Sequence, residues 1–260
     1  MERGLHSVTF RFYADLNDFL QERQQGNSLT YEFNGHPAVK DAIEALGVPH
    51  PEVELILVNG VSAGFSKQLQ DGERVSVYPR FHQISVDTLS KVKPEAPAII
   101  RFVLDVHLGR LAERLRMLGF DVRYSNHADD AQLAGWSTRE GRILLTRDRG
   151  LLKRAEVEHG YCVRGDNPDA QIVEVLNRYD LWDQFQPFKR CTVCNGLILP
   201  VERNAVIADL LPGTKEAYEH FFRCNRCGKV YWEGSHVADM RAWISSLKQS
   251  AAGAGRKVDC

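Results

Sequence analysis

The chain has 260 residues, of which 43% are hydrophobic and 26% charged. That balance excludes a disordered or collagen-like chain and fits two or three modest globular domains. The formal net charge is −1, but residues 1–90 carry 7 Lys and Arg against 12 Asp and Glu, 98–185 carry 13 against 14, and 186–260 carry 11 against 7. An acidic head and a basic tail point to modules with separate work and confine any nucleic-acid surface to a local patch.

The first stretch, 1–87, alternates strand and helix signals. VTFRFYA and LTYEFN have the period of two expected of half-buried strands, and AVKDAIEALG has helical spacing that stops at Gly47. ELILVNG reads as a buried strand with a turn at Asn59-Gly60, and DGERVSVYP as a turn followed by a last strand. One helix on a mixed sheet is an α+β layout. Residues 88–97, TLSKVKPEAP, contain two prolines and little apolar surface and read as a linker.

From 98 to 187 the pattern changes to α/β. IIRFVLD is a buried strand. LGRLAERLRMLG sets Leu108, Leu111, Ala112, Leu115 and Leu118 on one helical face and stops at Gly119. FDVRYS (strand), DDAQLAGWSTREG (helix), RILLTRD (strand), RGLLKRAEVEHG (helix), YCVRG (strand) and DAQIVEVLNRYDL (helix) follow, as parallel βαβ units require. Residues 188–248 bracket an insert between two cysteine pairs, and 249–260 read as a disordered tail. No apolar run approaches the ~20 residues of a membrane-spanning helix, and MERGLHSVTFRF lacks the layout of a secretion signal. Both point to the cytoplasm and away from membranes.

Four of the six cysteines form two Cys-x-x-Cys pairs, Cys191/Cys194 and Cys224/Cys227. Four thiolates are what a tetrahedral structural Zn²⁺ requires, and a closed Cys₄ set has no open position for catalysis. Gly196 and Gly228 follow the pairs where a tight knuckle turns amides towards sulfur. The 29 residues between Cys194 and Cys224 predict a hairpin or excursion. His220 and His236 are further ligand types that four cysteines leave unneeded.

Asp105 closes one very apolar strand and Asp148 another, at the edge where open parallel sheets bind ligands. Asp129 and Asp130 open the helix between them. An aspartate after a strand also serves as a turn residue or helix cap, so each has a structural reading beside a chemical one. Read jointly, carboxylates gathered at one edge need a cation, and oxygen donors suit Mg²⁺ or Mn²⁺. Asp130 is the preferred third ligand, with Asp129 as its cap or supporting partner.

FVLDVHLGRLAERLRMLGFDV, ADDAQLAGW and ILLTRDRGLL, followed by CTVCNG and FRCNRCGKVYWEGSH, resemble the Mut-seven C-terminal RNase family over roughly residues 100–250. The resemblance implies a PIN-like fold with an attached zinc ribbon, and metal-dependent RNA cleavage by acidic residues matching Asp105, Asp130 and Asp148. PIN-like nucleases often use a fourth acid after the first strand, where this chain offers Glu113. Arg110 and Arg114, four apart on one helix face, and Arg147, Arg149, Lys153 and Arg154 around Asp148 suit phosphate, or else form a solvated face. In the ribbon Arg223, Arg226, Lys229, Tyr231 and Trp232 mix basic and aromatic groups able to hold unpaired RNA; the alternative for Tyr231 and Trp232 is the ribbon core. His236 is a further RNA-contact candidate.

SLTYEFNGHPAVKDAIEALGVP, ELILVNG and LQDGERVSVYP resemble the ubiquitin-like β-grasp sulfur carriers. Those carriers end in Gly-Gly, whereas VYPRFHQ here runs on into the chain, which argues against sulfur transfer and for docking, RNA positioning, a protein partner or an intramolecular role. The expected protein is a β-grasp domain, a PIN-like domain and a Cys₄ ribbon forming a metal-dependent endoribonuclease. A non-cleaving binder of tRNA or rRNA and a regulatory protein-interaction module are the rival readings.

Overall fold

The computed structural model describes residues 5–81, 84–92, 94, 97 and 99–254. In chain order the elements begin β1 (His6–Phe12), β2 (Ser28–Phe33), α1 (Val39–Ala45), β3 (Leu55–Val58), β4 (Val61–Ser62) and β5 (Arg74–Tyr78). Next come β6 (Arg101–Leu104), α2 (Gly109–Met117), β7 (Asp121–Tyr124), α3 (Asp130–Glu140), β8 (Ile143–Thr146), α4 (Arg149–Leu152), β9 (Gly160–Cys162) and α5 (Pro168–Tyr179). The chain ends with β10 (Ile198–Val201), α6 (Pro212–Ala217), β11 (Phe221–Cys224), β12 (Val230–Trp232) and α7 (Ser235–Ala254). It divides into two bodies, Met1–Ile99 with Asp129–Cys162, and Ile100–Ala128 with Val163–Cys260. These cut across the expected 98–187 span.

In the first body β1–β5 form a mixed sheet in the order β2-β1-β5-β3-β4. β1 runs antiparallel to β2 and parallel to β5. The period of two sends Val8, Phe10, Phe12, Val75 and Val77 into a core shared with Val39, Ala42 and Ile43 of α1. Asn59 and Gly60 both have positive φ (50° and 83°), the twist a two-residue hairpin needs between β3 and β4. Strand β4 went unread because only two residues pair.

The stretch expected as a linker is held to this sheet over its first residues. Val92 is buried, as is Val86 just before the stretch, Ser90 donates to the Glu54 carbonyl at 2.6 Å, and Ser62 donates to the Leu89 carbonyl at 2.5 Å. Residues 93, 95 and 96 of that stretch lie outside the described residues.

The same body contains β8 and β9, paired in parallel, with α3 and α4. The helix read over RGLLKRAEVEHG is only Arg149–Leu152. Beyond it the chain turns, burying Val157 and returning to the start of β9 at Gly160.

In the second body β6 and β7 are parallel, joined by α2. Leu108, Leu111, Leu115 and Leu118 are fully buried, each such side chain contributing about 1.5–3 kcal/mol. Helix α5 packs on α2, and its Ile172, Val175 and Leu176 are buried. β10, β11 and β12 form an antiparallel ribbon. The insert between the cysteine pairs holds β10, α6 and two short helical turns. Its small core is Val206, Leu210 and Phe221, with Tyr218 and Trp232 packed against it. Helix α7 continues through Ala254, into the expected disordered tail, whose residues 255–260 lie outside the described residues.

Candidate functional site

The two Cys-x-x-Cys knuckles meet: the four sulfurs of Cys191, Cys194, Cys224 and Cys227 all lie within 4.8 Å of one another. Cys191–Cys227 and Cys194–Cys224 are 3.7 and 3.4 Å apart. Tetrahedral Zn–S bonds of about 2.3 Å imply S···S edges of about 3.8 Å, so the donor set fits a metal such as zinc. Gly196 makes the approach possible, because a Cβ there would lie 2.6 Å from the Cys224 sulfur. Burial pushes the Cys191 thiol up, but the Tyr231 hydroxyl, 3.0 Å from its sulfur, and nearby amides outweigh burial and leave it at about 6. Burial takes Cys194 up to about 12.

The first knuckle is fastened to α2 and β7. Arg116, 4% exposed, donates through Nε and Nη2 to the Val122 carbonyl and through Nη1 to the carbonyls of Thr192 and Val193. Burial lowers its pKa while the Cys191 and Cys194 sulfurs favour its charge. Asn195 bridges the Val122 amide and the Asp121 carboxylate, which also pairs with Arg190. The sequence reading missed Arg116. The available signal was its position four residues after Ala112, inside the apolar stripe.

Asp105 belongs to the second body. It follows β6, is 4% exposed, and accepts from the His107 amide at 2.7 Å. Burial, and after it the charge of Asp105, raises the Tyr124 phenol. Glu113 is exposed on α2.

Asp129, Asp130 and Asp148 belong to the first body. Asp129 is the N-cap of α3 in a reciprocal capping box with Gln132. Asp130 is the exposed first residue of that helix. Asp148 is exposed and caps α4, its Oδ1 accepting from the amides of Gly150 and Leu151 at 2.6 and 3.2 Å.

The basic residues divide. Arg110 and Arg147 are exposed. Arg114 pairs with Asp169 and lies 5.2 Å over the ring of Trp243, whose indole also donates to Asp169. Arg149 donates to the carbonyls of Phe19 and Asp18, and Lys153 to that of Glu44. Arg154 approaches Glu156 at 3.6 Å. In the ribbon Arg223 pairs with Asp209 and Arg226 donates to the Cys194 carbonyl. Lys229 lies 5.4 Å over Tyr231, and His220 and His236 are exposed. Of the aromatic candidates, Tyr231 faces sulfur and Trp232 the ribbon core.

Residues 100–244 match the family model described as the Mut7-C RNAse domain, and residues 5–85 that described as Mut7-C ubiquitin. The chain belongs to the Mut7-C RNAse domain family. It is 34% identical over 124 residues to a human protein named exonuclease mut-7 homolog, a match covering 45% of this chain and 14% of that protein. No solved structure matches. The Mut7-C RNAse match contains Asp105, Asp130, Asp148 and all four cysteines, and the Mut7-C ubiquitin match contains β1–β5. Among the described residues no helix is long and apolar enough to cross a membrane.

Proposed function

We propose that this chain is a divalent-metal-dependent ribonuclease that hydrolyses RNA phosphodiester bonds internally, with Asp105, Asp130 and Asp148 holding Mg²⁺ or Mn²⁺ and the four cysteines holding structural Zn²⁺. The observation that carries this reading is that Asp105 and Asp148 each follow a parallel strand within the matched RNAse domain. Carboxylate oxygens are hard donors, and a buried carboxylate such as Asp105 is stabilised by a cation. A bound divalent ion supplies charge neutralisation at phosphate and lowers the pKa of water.

The protein groups have separable work. Asp148 accepts its cap bonds at Oδ1 and would hold the ion with its remaining carboxylate oxygen. Asp130 contributes from the start of α3, while Asp129 keeps that helix end in place. Exposed Arg110, Arg147 and Lys229 offer cations to phosphate, and His236 a further polar contact. Arg114, Arg149 and Tyr231 are engaged within the protein and assist indirectly. The substrate is RNA, with tRNA and rRNA the first to test, and the site of action is the cytoplasm.

The test is cleavage of total cellular RNA by wild type and Asp148→Asn with Mn²⁺, Mg²⁺ or EDTA. Asn retains the capping oxygen, so the variant should fold and bind RNA yet cleave nothing. Equal cleavage by both proteins would overturn the assignment, and a gel shift without products in either would favour a binder. Circular RNA separates internal cutting from the exonuclease action named for the human relative, because only an endonuclease opens a circle.

A further inference from the structure

The β-grasp domain has no carrier terminus, and its contacts suggest another use. Arg149, the residue after Asp148, reaches into it with a two-point fork: Nη1 donates to the Phe19 carbonyl and Nη2 to the Asp18 carbonyl, both at 3.0 Å. The guanidinium carbon also lies 5.0 Å from the centroid of the Phe19 ring. The receiving turn is anchored by buried Leu16 and Phe19. It also presses against the end of α1, where a Cβ on Gly47 would lie 3.2 Å from the Phe19 oxygen.

Three further bonds join the same two parts of the chain. Lys153 donates to the carbonyl of Glu44 in the last turn of α1 at 2.7 Å, where a cation also complements the helix dipole. His50 Nε2 donates to the Val157 carbonyl at 2.9 Å, with Nδ1 bonded to Glu44. The Cys162 amide donates to buried Glu52 at 2.6 Å. Every residue from 149 to 162 that makes these bonds belongs to the segment Asp148 opens.

We infer that the β-grasp domain is an internal brace that fixes the Asp148 turn, and that Arg149 is its positioning residue rather than a phosphate contact. Arginine suits this work because its planar fork satisfies two carbonyls at once, which a lysine ammonium cannot do in the same geometry. The inference rests on the proposed role of Asp148 for its catalytic consequence but not for the brace itself.

The experiment uses the full chain as wild type, Arg149→Ala, Arg149→Lys and Lys153→Met. Hydrogen exchange is read over 149–152, and steady-state cleavage is measured on a dye-quencher single-stranded RNA with Mn²⁺. The expected result is faster exchange at Leu151 and Leu152 in all three variants while β1 and β5 keep their protection. With it, kcat should fall roughly tenfold to a hundredfold in Arg149→Ala, less in Arg149→Lys, and KM should change by no more than about twofold. A raised KM with unchanged kcat and exchange would make Arg149 an RNA contact and overturn the brace. Unchanged exchange alone would do the same. If Arg149→Ala loses protection throughout, the local signature is read from Arg149→Lys and Lys153→Met, and its absence from both overturns the inference. If wild type cleaves nothing while the exchange pattern appears, the ribonuclease reading fails and the brace stands.

Discussion

Replacing Arg116 with Met tests whether the Cys191–Cys194 knuckle is structurally continuous with the α2–β7 unit. Met keeps much of the aliphatic stem, so the change isolates the guanidinium. Its four hydrogen bonds divide unequally. The Val122 carbonyl, in a buried strand residue, loses two donors, at a cost of about 1–3 kcal/mol for a poorly satisfied buried group. The carbonyls of Thr192 and Val193 belong to residues that reach solvent. Water can replace the donor there, leaving about 1 kcal/mol each. Relief of the desolvation that depresses Arg116 offsets part of this, for a net loss of about 3 kcal/mol. Arg116→Lys should fall between, since one ammonium cannot span both carbonyl groups. Urea unfolding measures the stability loss, and zinc transfer to a colorimetric chelator measures the knuckle, which should release metal faster in both variants. A loss under about 1 kcal/mol with unchanged zinc release would refute the reasoning.

Cys224→Ser should abolish stoichiometric zinc, read by elemental analysis, and loosen the ribbon, whose strand β11 ends at that residue. Full zinc retention would contradict a Cys₄ site. Gly119→Ala should cost about 3 kcal/mol or more in thermal or urea unfolding. Gly119 has φ of +98° and its Cβ would meet the Gln186 carbonyl oxygen at 2.2 Å. A near-neutral result would mean that the Gln186 segment moves freely. Asp129→Ala should lower stability by about 0.5–2 kcal/mol through loss of the α3 cap, and Asp129→Ser should recover most of it. Equal stability of all three proteins would show that the capping box contributes nothing.

Where one residue's chemistry decides the local structure, the sequence was readable. The leucine stripe of α2, its stop at Gly119, the Asn59-Gly60 turn and the cysteine pairs each follow from periodicity, a positive φ or a fixed donor count. Where tertiary contacts decide, it was not. TLSKVKPEAP reads as a linker because its prolines and charges are visible, whereas the bonds of Ser62 to the Leu89 carbonyl and of Ser90 to the Glu54 carbonyl are not. The long helix read after Asp148 stops at Leu152 because Lys153 is drawn to α1 and Val157 to the core. The arginines were hardest of all. Arg110, Arg114, Arg116 and Arg149 are alike in sequence, but Arg110 reaches solvent, Arg114 lies on a tryptophan, and Arg116, buried, and Arg149, exposed, are forked onto backbone carbonyls.

These forks tie the acidic stretches of the matched RNAse domain to the N-terminal β-grasp domain and to the ribbon at the domain's own C-terminal end. In the first body the segment containing Asp129, Asp130 and Asp148 is bonded to the helical turns of the β-grasp domain. In the second, the segment that opens with Asp105 is packed with the ribbon through Arg116 and Asn195. The β-grasp domain and the ribbon are therefore bonded to different stretches of the chain that contain the acidic residues. A closed Cys₄ set would leave a bound metal no position for substrate, so any influence on chemistry would pass through the backbone it holds. The carbonyls of Thr192 and Val193 lie within the Cys191–Cys194 knuckle, and they are the acceptors that hold Arg116. Metal binding, the orientation of those carbonyls and the anchoring of the helix that follows Asp105 form one physical chain, and the Arg116 substitution interrupts it without touching a cysteine or a carboxylate.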